Sequence, residues 1–459
     1  MRVSARLART HPCAALASVV VGFGAFGLVG CSERDSYLIA AASKTEPEPT
    51  ETIVLSQAVQ DAIDERPIGG ASLTSGTTGG GTYAEARAAK ALFRVATLSE
   101  LELRVSGDEP AVVVIEAGAY VGSGAERSVS ACLQDCAADD PIERQTLAAA
   151  SCTNGEALMD VVVTSDTLRI GSNKTIIGLD AGARLVNVSV SLDGSSNVIV
   201  RNVGVERLDS EVPTNSDGFS LRAAHHVWLD HVSLSDISHA ALSIISSWDQ
   251  DQDQAIVEEA GYVTISNADF DGFLDKSCSQ RSESVLTTNR SPAITITRSW
   301  FHDARIRVPN LFGPGTWAHL FNNLWDDIDG RGLAVSCGAA AIAQGNVFQE
   351  AHNGIYNSDS GLSDWQFCAT GFYGVLYAPS VAGGAEANLL DATSSQNLGG
   401  QPVTGEGLAL PTSLGGSEYE LTVPVESGTS TQTYRVMLAA EPAALASELP
   451  KTAGTGHLF

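Results

Sequence analysis

Short runs of β-branched residues recur along most of this chain, and they constrain its fold more than any other feature. Val112-Val113-Val114-Ile115, Val161-Val162-Val163, Lys174-Thr175-Ile176-Ile177 and Val198-Ile199-Val200 begin the series. Val227-Trp228-Leu229, Val263-Thr264-Ile265, Ile294-Thr295-Ile296 and Ala341-Ile342-Ala343 continue it. Gly, Asn, Asp and Ser bound each run, the pattern of short strands ended by tight turns. A trailing aromatic recurs at Phe270, Phe301, Trp325 and Phe348, at intervals of 31, 24 and 23 residues. Intervals in the low twenties, lengthened by insertions, fit coils of a parallel β-helix built from three short strands each. Such a coil exposes its apolar edges until the next one stacks on it. Asn197, Asn202, Asn267, Asn323 and Asn346 sit at the predicted turns, where stacked amides can satisfy one another. A β-sandwich also uses short strands, but it gives no reason for the recurrence. Helical periodicity is confined to residues 85–94 and 439–449, with a shorter stretch at 54–63. With 44 glycines and 6% aromatic residues, the composition argues against a helical bundle.

The N-terminus reads as an address. Arg2, Arg6 and Arg9 precede an apolar stretch over residues 14–29, with no acidic residue before Glu33. This is a charged region followed by a signal-type apolar region. Leu28-Val29-Gly30-Cys31 resembles the lipobox of bacterial lipoproteins, which implies cleavage after residue 30 and a lipid on Cys31. The alternative is a secretory signal with an incidental Cys. Either reading exports the chain, and the lipobox reading anchors it at the cell envelope, at the outer membrane or cell surface. Six cysteines then remain, at 132, 136, 152, 278, 337 and 368. In an oxidising compartment they allow three disulfides. Cys132 and Cys136 lack a second pair at zinc-type spacing, and Cys337 and Cys368 bracket one coil and its loop. Residues 31–75 are polar, acidic and then Gly-rich, and read as a tether. Residues 76–459 are left for the folded domain.

The chain carries 54 acidic against 27 basic residues, a formal charge of −27 that becomes −30 without residues 1–30. A nucleic-acid partner needs a basic face, and this balance excludes one as the main function. The remaining expectation is a monomer whose partner is a polysaccharide, touching a membrane only through the lipid.

Several segments resemble the pectate lyase and pectin lyase group of the first polysaccharide lyase family. Ser172-Asn173-Lys174-Thr175-Ile176-Ile177-Gly178 is similar to its "sNKTIiG" strand, and Asn197-Val198-Ile199-Val200-Arg201-Asn202 to its "NVIIRN". Asp217-Gly218-Phe219 followed by Val227-Trp228-Leu229-Asp230-His231 resembles "DaI…VWIDH". Arg307-Val308-Pro309, Gly313 and His319-Leu320-Phe321-Asn322-Asn323 resemble "RxPrvRfG..HvyNN". The resemblance runs from about residue 79 to 453. It implies an all-β, right-handed, single-stranded parallel β-helix that cleaves acidic galacturonan chains by β-elimination. The residue matching the family's base is Arg307, which would take the C5 proton next to the uronate carboxyl while the C4–O4 bond breaks. Arg is ordinarily protonated, and the developing negative charge must be neutralised. Pectate lyases use Ca²⁺ for this; pectin lyases act on a neutral methyl ester without it.

The calcium pattern is incomplete. Asp217 matches the first metal ligand, but His239 and Ser243 stand where the family's "DGllDi" has two further acids. A register slip onto Asp271 and Asp275 would restore both acids, but it breaks the match of Tyr262-Val263-Thr264-Ile265-Ser266 to the next strand. Calcium is therefore implied by the resemblance and undercut by the residues. Lys276 matches the substrate-binding Lys with one inserted residue, and the second Arg of the "RxPrvR" motif is missing at 310–312. Arg305 is a further candidate for a uronate carboxylate, and His239 for substrate contact. Asp230 and His231 are expected to be structural. The acidic run after Trp248 lacks the Gly and terminal Glu of an EF-hand loop. Two other classes remain: a hydrolase, for which the only local carboxylate pair is Asp326-Asp327, and a non-catalytic glycan-binding protein.

Overall fold

The alternation of inward apolar and outward polar residues closes, as expected, into stacked coils. The structure, a computed structural model, describes residues 53–138, 140, 144–148, 152, 158–208, 216–248, 256–282, 284–358, 375–378, 387–397, 417–425 and 430–459. The signal, Cys31, Cys368 and most of the acidic run after Trp248 lie outside them.

Each coil contributes one strand to each of three faces of a parallel β-helix. Among the described residues the first face has ten strands: Leu92–Val95, Ala111–Ile115, Lys174–Gly178, Ser196–Arg201, His225–Asp230, Gly261–Ser266, Ile294–Thr297, Trp317–Phe321, Ala340–Gln344 and Val375–Tyr377. Its pairs are parallel and in register, so one interior row reads Val113, Ile176, Val200, Leu229, Ile265, Ile296, Leu320, Ala343. All eight are buried. The second face includes Ser233–Ile237, Asp269–Asp271 and Trp300–Ala304. The third includes Val188–Ser191, Phe219–Arg222, Leu242–Ile245, Leu286–Asn289 and Asn310–Phe312. Leu324–Ser336 and Val347–Ser358 run through the corner and serve both.

The recurring aromatics form one column on the second face. Phe270 stacks on Phe301 (4.6 Å between centroids), Phe301 on Trp325 (5.1 Å) and Trp325 on Phe348 (4.5 Å), all fully buried. The Asn expectation holds in two forms. Asn323 donates to the Asn346 carbonyl oxygen at 3.0 Å and Asn346 to that of Asn388 at 2.9 Å, a buried ladder. Asn202, Asn267 and Asn322 instead occupy left-handed backbone positions just after first-face strands, with φ of 57°, 50° and 57°. Asn adopts this conformation more readily than most residues.

Coverings close the helix. Helix Leu98–Val105 packs Leu101 and Val105 into the main core. The antiparallel hairpin Glu418–Val425/Ser430–Met437 buries Leu421, Val423 and Val436 with first-face residues Trp317 and Ile342. Residues 53–75, placed in the tether by composition, are instead part of the fold. Helix Gln57–Asp64 packs Val59 and Ile63, and the backbone of Gly70 and Ala71 bonds to the hydroxyls of Thr295 (2.9 Å) and Thr264 (3.0 Å). A Cβ on Gly70 would lie 1.8 Å from the Ala293 carbonyl oxygen, so only Gly fits there. The Gly-rich composition that suggested a linker reflects this close approach.

Two other expectations change. Residues 85–94 are split between helix Tyr83–Ala88 and strand Leu92–Val95. The Val161–Val163 run belongs mainly to an antiparallel arm, in which Ala125–Asp135 pairs with Arg144–Ala148 and with Met159–Arg169. Only the end of Met159–Arg169 joins the third face. Disulfides Cys132–Cys152 and Cys136–Cys278 tie the arm to itself and to the helix. Cys337 is also disulfide-bonded.

Asp230 and His231 are structural, as read. Asp230 lies on the first face and receives bonds from Arg201 Nε (2.8 Å), Ser266 Oγ (2.6 Å) and Asn267 Nδ2 (2.9 Å). Burial opposes its ionisation, yet the His231 bond and the Arg201 charge hold its carboxyl well below the usual range. Arg201 also reaches the Ala62 carbonyl at 2.6 Å and Glu65 at 2.7 Å, clamping the N-terminal helix onto the coil. Removing one partner of a buried pair leaves the other charge stranded. Asp230→Ala is therefore expected to cost about 3–5 kcal/mol of stability, read as a shift in the guanidinium denaturation midpoint.

Candidate active site

The first face is covered by the N-terminal strap and the hairpin, and the third face carries the matched residues. Asp217 leads into Phe219–Arg222 and Arg307 into Asn310–Phe312, three strand spacings further along the same face. Adjacent strands lie about 4.8 Å apart, so Asp217 and Arg307 are about 14 Å apart along the axis. Ser220, Ser243, Thr287 and Asn310 form one row across these strands. Its side chains are short and polar, and Ser243 among them is buried.

Asp217 ends the connection into Phe219–Arg222, and its carboxylate is committed within the protein. His239 Nδ1 lies 2.5 Å from Oδ1, and Ser243 Oγ donates to Oδ2 at 2.5 Å. His239 is exposed and Asp217 largely buried. The slip onto Asp271 and Asp275 is overturned: Leu242–Ile245 pairs directly with Phe219–Arg222, whereas Asp271 belongs to a second-face strand. Calcium takes 6–8 oxygen ligands, several of them carboxylates. Here Asp217 supplies one carboxylate, flanked by an imidazole and a hydroxyl, and this set does not fit the ion.

Arg307 is half-buried, with a left-handed backbone (φ 58°) at the corner that leads into Asn310–Phe312. Its own carbonyl accepts from Leu286 N at 3.2 Å, and the next residue, Val308, is fully buried. Among the described residues no carboxylate bonds to the Arg307 guanidinium. The other matched residues flank the row. Lys276 is exposed on the loop between Asp269–Asp271 and Leu286–Asn289, two residues from the Cys136–Cys278 bridge. Arg305, also exposed, lines a cleft of about 690 Å³ walled by that disulfide, Gln145 of the arm and Arg281. Arg305 and Lys276 both have partners. The structure thus brings Asp217, His239 and Ser243 into contact, sets Arg307 three strands further along the same face, and leaves Lys276 and Arg305 on the rim.

Sequence reasoning missed Arg331. Its Cζ lies 4.5 Å from the centroid of the Tyr356 ring, and its backbone N–H bonds to the Arg305 carbonyl of the preceding coil at 3.1 Å.

Asp326 and Asp327 do not form a hydrolase pair on this face. They lie on the second-face part of their strand, and Asp327 is ion-paired to Arg281 at 2.6 Å. Nearby Asp271, His302 and Asp303 are close enough to share an ion. His302 Nε2 is 2.9 Å from Asp269 and Nδ1 is 2.6 Å from Asp303. Burial alone would favour the neutral ring, but these carboxylates outweigh it and raise the pKa to about 9. Without an ion the group is an ion-pair cluster centred on His302. An unfolded His titrates near pH 6.5, about the value below which this stabilisation is complete. It is lost as pH rises through about 9. The Tm difference between wild type and His302→Gln should be largest near pH 6 and shrink towards pH 10, followed by calorimetry.

Comparison with known proteins agrees with this architecture. A family model described as pectate lyase matches residues 146–372. A probable pectin lyase F of Emericella nidulans is 27% identical over 322 residues, covering 67% of this chain and 63% of that protein. A pectate lyase A of the same organism is 25% identical over 339 residues, covering 71% and 84%. The crystal structure of a pectate lyase from Paenibacillus sp. 0602 superposes with a TM-score of 0.53 at 15% identity, over 86% of this chain and 97% of that one. Its fold is the one described above. The chain spans less than two thirds of the length of the first pectin lyase relative.

Proposed function

Because the chain belongs to the pectate lyase and pectin lyase family, we propose that it cleaves pectic, galacturonan-type polysaccharides by β-elimination without calcium. The observation that carries this reading is the half-buried Arg307 on the third face, bonded to no carboxylate among the described residues. In the proposed step a guanidine nitrogen of Arg307 takes the C5 proton. The C5–H electrons form the C4=C5 double bond, and the C4–O4 pair leaves with the departing chain, whose oxygen is then protonated. Ser284, Thr287 and Asn310 lie beside Arg307 on the groove floor, where small polar groups suit sugar hydroxyls. Lys276 and Arg305 are placed at the rim as contacts for outlying uronates. Asp217, His239 and Ser243 act as a closed polar unit at one end of the groove.

The calcium-independent form is favoured by one contact set: both Asp217 oxygens already accept bonds from His239 and Ser243. The alternative of a glycan-binding protein without turnover would keep this groove and lose only the chemistry. Export and an N-terminal lipid on Cys31 belong to the same proposal, supported by the two disulfides, which persist in an oxidising compartment. No helix among the described residues is long and apolar enough to cross a membrane.

The test is ultraviolet absorbance of unsaturated uronate, released from polygalacturonate and from highly methylated pectin. Arg307→Ala should lower the rate by about 10²–10⁴-fold, the usual worth of a positioned base, while a chelator leaves the wild-type rate unchanged. A rate that survives Arg307→Ala, or one that the chelator abolishes, would overturn this assignment. Product from neither polymer would favour the binding-protein reading. A gain-of-site variant gives an independent check. His239→Glu with Ser243→Asp puts three carboxylates together, and calorimetry should then detect Ca²⁺ binding that the wild type lacks.

A further inference from the structure

A second group of chemistry-bearing residues sits on the first face, away from the groove. His225 and His226 open the strand His225–Asp230, and neighbours along a strand ordinarily point to opposite faces. Here His226 has a left-handed backbone (φ 57°), and both rings come to one side, with centroids 5.0 Å apart. The conformation belongs to the position. Asn197 and Tyr262, which flank His226 in the coils before and after, have φ of 60° and 54°. Tyr262 stacks on the His226 ring at 5.0 Å and 11°, so this buried ring is held in one orientation.

The strap settles its tautomer. His226 Nε2 meets the Thr74 hydroxyl, and the ring also bonds to the backbone of Leu73, a contact that favours a protonated ring nitrogen. With the proton held on the strap side, Nδ1 carries the lone pair. It faces His225 Nδ1, 2.8 Å away. Burial lowers the pKa of both rings, that of His226 to about 4, so both are neutral at pH 7. Two nitrogens bound to one ion at about 2.0 Å stand about 2.8 Å apart when they subtend about 90°, and about 3.3 Å apart at the tetrahedral angle. The pair is therefore spaced as neighbouring ligands in a tetragonal site, the geometry of Cu²⁺ and Ni²⁺. Both rings line a cavity of about 520 Å³ with Thr74, Tyr262, Glu258 and Glu259. No Lys or Arg lines it among the described residues. Glu259 is half-buried, and burial pushes its carboxyl up with no cation beside it to oppose the shift. Carboxylates withdrawn from water are ordinarily paired with a cation or bound to a metal.

We propose that His225 and His226 form a binding site for a divalent transition-metal ion of tetragonal preference, Cu²⁺ or Ni²⁺, with both Nδ1 atoms as ligands and Glu258 and Glu259 supplying the balancing charge. Without an ion, a proton on His225 Nδ1 spans the gap to His226. On binding, that proton moves to Nε2 of the exposed His225 ring, so both rings stay neutral and both lone pairs reach the ion. The site is separate from the third-face groove and independent of the proposed lyase reaction. Because Thr74 and Leu73 of the strap support His226 from behind, the occupied site also fastens the strap to the first face.

The full chain, stripped of metal by dialysis against a chelator, is titrated with Cu²⁺, Ni²⁺ and Zn²⁺ by calorimetry, and its Cu²⁺ form is followed by electron paramagnetic resonance. Wild type should bind one Cu²⁺ with an axial spectrum split by two imidazole nitrogens, and should bind Ni²⁺ more tightly than Zn²⁺. His225→Ala alters an exposed side chain and leaves the coil intact; it should weaken Cu²⁺ binding at least about tenfold and lose one nitrogen from the spectrum. His302→Gln is the control for the second-face cluster and should bind as the wild type does. The proposal is overturned by a wild type that binds no ion, by equal affinity in His225→Ala, or by loss of binding in His302→Gln. Zn²⁺ bound more tightly than Ni²⁺ would overturn the tetragonal assignment.

Discussion

The return of each coil to the same place above the last is the constraint on which this molecule depends. A parallel strand finds partners for its N–H and C=O groups only in the strands on either side. One misplaced turn would strand a row of backbone groups and reverse which side chains face inwards. The left-handed residues after first-face strands, Asn202, His231, Asn267, Arg298 and Asn322, make the same corner coil after coil. The buried Asn323–Asn346–Asn388 ladder satisfies the amides that such a corner would otherwise leave unpaired. Register, corner and ladder are one device.

The same repetition determines where function can sit. Two of the three faces are put to structural use. The first lies under the N-terminal strap and the hairpin, and the buried Asp230–Arg201 pair anchors the strap's helix there. On the second, helix Leu445–Thr452 packs Leu445 and Leu449 against Leu324 and Val347. The third face is left with Ser220, Thr287 and Asn310 outward and guanidiniums at its edges. A groove with a flat polar floor and charged rim suits an extended polar chain better than a compact apolar ligand, which needs a concave, largely apolar pocket.

Much of this was legible in the sequence, and the reasons are physical. The column Phe270, Phe301, Trp325, Phe348 could be read because stacking imposes one residue type at one position per coil. Insertions alter the spacing without moving the position. The position of His239 and Ser243 beside Asp217 could be read because neighbouring strands anchored the register. The role of residues 53–75 could not, because a Gly-rich segment that hugs a sheet and one that dangles have the same composition. The antiparallel arm was hidden for a similar reason: Val161-Val162-Val163 is as good a strand in a hairpin as in a coil. Arg331 carried no local signal at all. Its place comes only from the pairing of coils, which sets it beside Arg305 and over the Tyr356 ring.

Charge ties the groove to its substrate in a way that net charge conceals. A chain at −27 repels a polyanion at long range, yet at physiological salt that repulsion is screened beyond about 8 Å. Within that distance the local arrangement decides. A calcium site would gather carboxylates into the groove and depend on an ion to reverse their sign. Replacing two acids by His239 and Ser243 removes that dependence, and Asp217 is then contained by hydrogen bonds rather than by a metal. Arg169, Arg222, Arg307 and Arg331 lie on or lead into third-face strands over six coil spacings, about 29 Å, with the exposed Asp193 accepting from Ser220 Oγ and the Arg222 backbone among them. Pairing elsewhere absorbs acidic side chains against the other arginines, so the unpaired cations are concentrated where an anionic chain would lie. The acidic balance of the whole protein and a cationic groove are thus compatible, because the ion pairs are segregated by face.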